Sequence, residues 1–409
     1  MIRSKQAPWR RQMIVLLILI FYFAAMCWLH YQQLYSSDGY ASDLPTHIQW
    51  SVEGTEGKIY SATSLLLAPL YNIFGMVGVV ALLAGAQLMA VVVFAWGLCT
   101  TVSDLAASAG LLLSLAVNLS QAVWIPRGGY WYLGTVSGTN YHNTTYIMLA
   151  PFALLAALWF YRAWAGMRSG LRWKDWLIYT LFLTTATAFK ASFVFAFAPS
   201  LLILLIVDLV RTRGRNLKRE ILMGCSVLPS IALCLLQSVV LFGGESEGLQ
   251  LIFTVDWAEY PGKVLVWGLS NEAARRGLVR SFVFIGSVAV LLGRTAWSNF
   301  RYRFSFLTFC IAMAEALLLV ESGERIADGN LWWGPFICYW ILLLESFAAF
   351  LCGCREWKAG RRAKFWRARV TLCGVALVWH LVSGICFLVL MMQGNSYIMP
   401  IATWQLWPF

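Results

Sequence analysis

The chain has 409 residues and a net charge of +12; 60% of its residues are hydrophobic and only 12% are charged. Apolar runs of about twenty residues, the length that crosses a bilayer, recur along it. This composition excludes an ordinary soluble protein and predicts an all-α polytopic membrane protein. We attribute the positive charge mostly to membrane topology and anionic lipids, and therefore expect no nucleic acid partner.

Eleven transmembrane helices are predicted, forming a single transmembrane domain over residues 1–409. They cover residues 13–30, 77–98, 105–124, 145–161, 175–189, 192–210, 220–242, 281–293, 305–320, 334–352 and 370–392. The first run is not followed by a small-residue cleavage site, so we expect it to remain as a helix. An odd number of crossings places the two termini on opposite sides of the membrane.

The basic residues indicate the orientation. With the N-terminus in the cytoplasm and the C-terminus outside, 23 of the 31 Lys and Arg residues lie on the cytoplasmic side, as the positive-inside rule requires. Four loops, besides the C-terminal tail, then face outward: 31–76, 125–144, 243–280 and 321–333. These outer segments hold 12 of the 19 acidic residues, so we expect the active-site face on the outside.

The first outer loop contains the sequence "SSDGYASDLPTHIQW", which supplies Asp38, Asp43 and His47. Apolar residues at helical spacing from Leu44 predict a short amphipathic helix over 44–53, lying on the membrane surface. Asp43 suits the N-cap of that helix, with proline in the first turn. It equally suits a catalytic base at the mouth of a cavity between the spans. The two interpretations are compatible.

The second outer loop is part of the stretch "WIPRGGYWYLGTVSGTNYHNTTY", residues 124–146. Its glycines and aromatic residues, with Asn140, His142 and Asn143, indicate a closely packed loop that hydrogen-bonds a hydroxylated ligand. The alternative is an interfacial aromatic belt with a helix-capping asparagine.

The third outer loop, "ESGERIADGNLWWGP", brings Glu321, Glu324, Arg325, Asp328 and Asn330 into one short connection. The planar guanidinium of Arg325 suits bidentate binding of a phosphate. The alternative is an ion pair of Arg325 with Glu324 or Asp328.

Four further ionisable residues lie within or between the apolar runs. Lys190, in "TATAFKASFVF", is expected at the outer interface, where it either extends its ammonium toward the headgroups or binds a lipid phosphate. Glu315, Glu345 and His380 fall inside predicted spans, and we expect them to pair with polar groups on other helices.

This layout resembles the GT-C superfamily of integral-membrane glycosyltransferases, which take a sugar from a polyprenyl-phosphate donor on the outer face of the membrane. The resemblance rests on a cytoplasmic N-terminus, one span, an outer loop with acids and a surface helix ("SSDGYASDLPTHIQWSVEGTEGKIYS"), and then many spans joined by short loops. It covers the topology of most of the chain. It implies Asp43 as the catalytic base, with Asp38 second, in a bacterial envelope-polysaccharide enzyme of the inner (plasma) membrane.

The resemblance also implies roles for the other outer residues. Arg325, Lys190 and Arg127 would neutralise the departing lipid phosphate. Substrate contacts are expected from His47, Asn140, His142, Asn143, Glu321, Glu324 and Asn330. The partners would be the lipid-linked donor, a glycan or lipid-linked acceptor, and membrane lipids. The adjacent acid pair of many members is absent, so a divalent cation (Mg or Mn) is left open and no metal ligands are assigned. Trp332 and Trp333 either stack on a sugar face or belong to the aromatic belt, and we favour the interpretation as belt residues.

Two other functions remain open. An envelope polysaccharide polymerase or ligase with a lipid-pyrophosphate donor would use the outer arginines Arg275, Arg276 and Arg280. A transporter or flippase would use the ionisable residues inside the spans. The sequence shows no internal repeat of the kind that many transporters contain.

Overall fold

A computed structural model describes most of the chain. The described residues are 8–36, 40, 42–54, 61–119, 141, 143–167, 169–242, 249–251, 279–321, 330–360 and 365–394. This part of the chain is α-helical apart from one pair of three-residue strands, as expected for an all-α membrane protein.

The described residues up to Phe242 contain nine α-helices. They are α1 (Pro8–Tyr35), α2 (Leu44–Gln49), α3 (Ala62–Thr101), α4 (Ala107–Leu119), α5 (Thr144–Met167), α6 (Trp173–Phe189), α7 (Ser192–Thr212), α8 (Leu217–Cys225) and α9 (Leu228–Phe242). A π-helical turn, Trp50–Gly54, continues α2. The predicted amphipathic helix over 44–53 is therefore present, and its apolar residues Leu44 and Ile48 are buried against the bundle.

The second half continues with shorter elements and two long helices. They are β1 (Leu249–Leu251), α10 (Val283–Leu291), α11 (Gly293–Ser298), α12 (Phe300–Leu318), β2 (Leu319–Glu321), a 3-10 turn (Asn330–Trp332), α13 (Trp333–Lys358) and α14 (Trp366–Met392). β1 and β2 pair antiparallel, with Leu249 opposite Glu321.

Seven helical segments in the described part of the chain are long and apolar enough to cross a membrane. They are Trp9–Tyr35, Ala62–Thr101, Thr144–Met167, Ser192–Thr212, Leu217–Val239, Asn330–Lys358 and Trp366–Val389. The multi-pass character is thus confirmed, whereas the count of eleven stays a prediction. The other four predicted spans correspond to α4, α6, α10 and α12. These helices are shorter or less apolar than the seven segments.

Helix α3 corrects the boundary of the first outer loop. The loop was expected to extend to residue 76, but α3 begins at Ala62 and is 40 residues long. A straight helix of that length would span about 60 Å, twice the hydrocarbon thickness. Gly75 interrupts the helix with a φ of 62°, a conformation that glycine adopts at little cost. Ile73 and Phe74, on the N-terminal side of this kink, are exposed, as expected for residues that face lipid.

The core of the bundle is built around α5 and α13, which contain the two most deeply buried of the seven segments. The indole of Trp340 in α13 is fully enclosed and donates a hydrogen bond of 3.0 Å to Asn118 of α4. Gly97 of α3 lets the helices approach closely, because a Cβ atom there would lie 2.7 Å from Leu344. Polar pairing and small residues therefore hold the central helices together.

Several predicted outer segments meet at one end of the bundle. The backbone N–H of Tyr40 donates to Gly394, and its phenol donates to the carbonyl of Met392. At the same end, Asp43 lies beside Asn143, which precedes α5. The contacts therefore bring the first outer loop, the start of α5 and the end of α14 together.

A buried ion pair joins the helices near the opposite end. Glu345 of α13 is fully buried, and its Oε1 lies 3.2 Å from Nε of Arg301 in α12. Arg301 also donates a 2.5 Å hydrogen bond to Thr101, the last residue of α3. Its guanidinium lies 5.0 Å from the ring centroid of Tyr161 in α5. The expected pairing of Glu345 across helices is confirmed. His380 is also paired across helices, because its Nε2 accepts from the backbone N–H of Phe284.

We expect Glu345→Ala to destabilise the protein by about 3–5 kcal/mol, because it leaves the Arg301 guanidinium among buried groups without its counter-ion. Unfolding of purified protein in mixed micelles would measure this change. The matched control is the double replacement Arg301→Met with Glu345→Leu, which removes both charges and should cost less than the single change. If Glu345→Ala is as stable as the wild type, the pair of Glu345 with Arg301 does not stabilise the fold.

Candidate functional site

Asp43 directs its carboxylate toward the bundle and not to its own helix. It occupies the N-cap position of α2, yet its side chain makes no capping hydrogen bond. Instead, Oδ2 accepts a hydrogen bond of 2.9 Å from the amide Nδ2 of Asn143, 100 residues further along the chain. The N-cap interpretation of the Asp43 side chain is therefore wrong. The short helix serves to hold the carboxylate beside α5.

Asn143 caps α5, as the alternative interpretation of the second outer loop predicts. Its Oδ1 accepts from the backbone N–H of Tyr146 at 3.0 Å and from the hydroxyl of Thr145 at 2.7 Å. A backbone N–H can only donate, so the amide oxygen must face the helix. The amide NH2 group is thereby turned toward Asp43, which fixes the position of one carboxylate oxygen.

Lys190 connects this set of contacts to the end of α6 and the start of α13. It follows the last residue of α6, and its Nζ donates a 3.2 Å hydrogen bond to the hydroxyl of Thr145. The ammonium also lies 4.8 Å from the ring centroid of Trp333, the first residue of α13. This is a favourable cation–π distance. The Lys190 ammonium is half-buried and faces the bundle. It therefore does not extend toward the headgroups, which was one of its two predicted positions.

We call Asp43, His47, Asn143, Thr145, Lys190 and Trp333 the Asp43 cluster. Its members come from α2, from the start of α5, from the α6–α7 connection and from the start of α13. The cluster places a carboxylate and an ammonium at one end of the bundle, linked through two hydrogen-bonded polar side chains. Such an arrangement can accept a proton at one point and stabilise an anion at another.

His47 lies one helical turn after Asp43 and is almost fully buried. Burial, followed by the positive charge of Lys190, lowers the pKa of His47 to about 4, although the Asp43 carboxylate opposes that shift. The imidazole is therefore neutral near pH 7, where it can donate one hydrogen bond and accept another. It adds no positive charge beside Asp43.

The structure brings together four residues that were selected from the sequence: Asp43, His47, Asn143 and Lys190. Asn330 is half-buried in the turn that leads to Trp333. Glu321 ends β2, and only its backbone is described. The remaining candidates lie outside the described residues; they are Asp38, Arg127, Asn140, His142, Glu324 and Arg325.

Two members of the cluster were not selected from the sequence. Thr145 belongs to the "NTT" stretch, and its place two residues after the cap residue Asn143 is the sequence feature that could have identified it. Trp333 was interpreted as a belt residue, but its indole is only 5% exposed, as is that of Trp332. The belt interpretation is therefore wrong for both indoles. Aromatic residues at a helix end look alike in the sequence whether they face lipid or a cation.

The six members of the Asp43 cluster supply few ligands of the kind that a divalent cation prefers. Mg²⁺ and Mn²⁺ prefer several oxygen ligands, and carboxylates above all. Asp43 is the single carboxylate among the six members, and one of its oxygens already accepts from Asn143. Among the residues with described positions, no group of three or more His, Cys, Asp or Glu could hold a metal ion. We assign no step to a cation.

The depressed pKa of His47 predicts an acid-sensitive contribution to stability. Its folded pKa of about 4 lies below the unfolded value of 6.5, so the unfolded state binds more protons between these values. Stability should therefore fall as the pH falls from 7 toward 4, by about 2 kcal/mol between pH 7 and pH 5. Thermal unfolding of wild type and His47→Gln at several pH values measures this effect. If both proteins lose the same stability on acidification, His47 is not buried as described.

No protein-family model matches the chain, and neither a curated protein nor a solved structure does. The chemistry of the Asp43 cluster is therefore the basis for assigning a function.

Proposed function

We propose that the protein is a membrane-embedded glycosyltransferase. It moves a sugar from a polyprenyl-phosphate donor to an envelope glycan or a lipid-linked acceptor. The observation that carries this proposal is the hydrogen-bonded connection from the Asp43 carboxylate through Asn143 and Thr145 to the Lys190 ammonium. A base and a phosphate-binding cation at one end of a membrane bundle suit a substrate whose lipid tail lies between helices.

In the proposed reaction, Asp43 removes the proton from the acceptor hydroxyl. The acceptor oxygen forms a bond to the anomeric carbon as the bond from that carbon to the phosphate oxygen breaks. The departing bond electrons remain on the phosphate, whose negative charge Lys190 stabilises. A single displacement of this kind inverts the configuration at the anomeric carbon. Asp43 ends the step protonated and returns its proton to water.

Asn143 has a more specific role in this proposal than binding the sugar. Its amide oxygen caps α5, and its amide NH2 group donates a hydrogen bond to Asp43. Asn143 therefore acts as a positioning residue, which aims the carboxylate at the acceptor. Contacts with the sugar are proposed for His47, which is neutral near pH 7, and for Asn330.

The orientation is part of the same proposal. Eleven crossings with the N-terminus inside would place the Asp43 cluster on the outer face of the inner (plasma) membrane, where lipid-linked sugars are used. The outer arginine Arg325, with Arg127, would then assist Lys190 at the phosphate. Asp38 is the second candidate for the base, and Asn140, His142, Glu321 and Glu324 are the remaining proposed substrate contacts.

The ion pair of Glu345 with Arg301 accounts for one of the ionisable residues that a transporter would use. Glu345 is fully buried and fixed beside Arg301, and Arg301 also binds Thr101. This pairing explains the burial of Glu345 without a transport role.

Replacement of Asp43 by Asn should lower the turnover number about 100-fold or more, because a general base contributes at least that factor. The assay is transfer of a radiolabelled sugar from synthetic polyprenyl-phosphate donors by purified protein in nanodiscs, together with donor binding. Donor binding should persist in the variant. Glu53→Gln is the matched control, since Glu53 lies ten residues away and accepts a local hydrogen bond from Gln49.

Full transfer by Asp43→Asn would refute the assignment of the base. Transfer by wild type from lipid-pyrophosphate donors alone would identify the polymerase or ligase alternative.

The positioning role of Asn143 is tested by Asn143→Ser. Serine is a good N-cap, so α5 keeps its cap, but the amide donor to Asp43 is lost. We expect a lower turnover number, a nearly unchanged KM and nearly unchanged thermal stability. Asn143→Ala should in addition lose about 1 kcal/mol of stability with the cap. A wild-type turnover number in the serine variant would show that the Asp43–Asn143 hydrogen bond has no role in catalysis.

A further inference from the structure

A groove of about 490 Å³ opens at the end of the bundle opposite the Asp43 cluster. It lies between the last turns of α5 and α7 and the first turns of α12. Its volume falls in the range of small-molecule clefts. Neither the proposed reaction nor the Asp43 cluster uses it.

The position of the groove along α7 places it near a membrane interface. Lys190 directly precedes α7, and Arg211 lies in the last turn of this helix. At 1.5 Å per residue, the two are about 30 Å apart along the helix axis. This distance equals the usual hydrocarbon thickness of about 30 Å. If Lys190 lies at one interface, Arg211 lies at the headgroup level of the other leaflet.

The charged lining of the groove favours an anion. Arg211 and Arg303 both line it, and both are exposed. Asp208 is the one acidic residue in the lining; it is buried, and the buried Glu220 of α8 lies beside it. The lining residues therefore carry a formal charge of +1, from two arginines and one aspartate. Guanidinium groups suit the oxygens of a phosphate.

The rest of the lining is apolar. Trp164 and Phe300 stack at 5.7 Å between ring centroids and form one wall. Leu204, Val207 and Leu307 continue the groove away from the arginines. Two arginines beside an apolar channel match a phosphate attached to an acyl chain. A free phosphate ion would make no use of the channel.

We propose that this groove, the Arg211 groove, binds an anionic phospholipid of the adjacent leaflet. The lipid phosphate lies at Arg211 and Arg303, and an acyl chain lies against Leu204, Val207 and Leu307. The site is separate from the proposed sugar transfer and does not depend on it. Under the predicted orientation, this leaflet is the cytoplasmic one, to which anionic lipids attract basic residues.

Native mass spectrometry of delipidated protein tests the proposal, with phosphatidylglycerol and phosphatidylcholine of identical acyl chains as probes. We expect wild type to bind phosphatidylglycerol more tightly, and Arg211→Gln with Arg303→Gln to weaken this binding about 30-fold. The matched control is Arg213→Gln with Arg294→Gln, which removes the same charge from exposed positions outside the lining. This control should bind like wild type.

A third variant tests the apolar half of the groove. Leu307→Trp fills the channel and keeps both arginines, so it should also weaken phosphatidylglycerol binding. Equal weakening of phosphatidylglycerol binding in the groove double variant and the control double variant would overturn the proposal. It would show that any exposed arginine contributes equally to lipid binding. Equal affinity of wild type for the two lipids, or full displacement of phosphatidylglycerol by inorganic phosphate, would overturn it as well.

Discussion

Polar groups inside a membrane protein must find their partners within the protein, because hydrocarbon offers none. This constraint accounts for the main connections between the helices. Arg301 pairs with Glu345, and the Trp340 indole donates to Asn118. Each contact joins two different helices that would otherwise present equivalent apolar surfaces to one another. The polar pairs therefore select one arrangement of the helices from many that would bury similar areas.

The Asp43 cluster follows from the same constraint at the end of the bundle. The first N–H groups of α5 need an acceptor, and Asn143 supplies it. Once the amide oxygen is used there, the amide NH2 group requires an acceptor of its own, which Asp43 provides. A capping interaction that stabilises the central helix thereby orients a carboxylate. Asn143 therefore serves both the stability of α5 and the proposed catalysis. Its hydrogen bond to Asp43 also holds the short helix α2 against the bundle.

The two ends of the bundle have contrasting chemistry. At one end, the half-buried Asp43 and Lys190 are linked through intervening side chains, and Lys190 lies over the ring of Trp333. At the other, Arg211 and Arg303 are exposed beside an apolar channel. Charges that are linked by hydrogen bonds are held in one geometry and suit a reaction, whereas exposed arginines suit a lipid headgroup that exchanges. This contrast separates the proposed transfer site from the proposed lipid site.

Apolar length and charge distribution along the sequence determined that the chain is a helical, multi-pass membrane protein, because both are local properties. They also singled out Asp43, Asn143 and Lys190 as polar residues at helix ends. The tertiary structure decided that these three meet, that Trp333 lies beneath Lys190, and that Asp43 does not cap its helix. Nearly uniform apolar helices do not encode which face turns toward which neighbour. That choice depends on hydrogen bonds and a cation–π contact between residues about 45 to 140 positions apart, which exist only once the helices have packed.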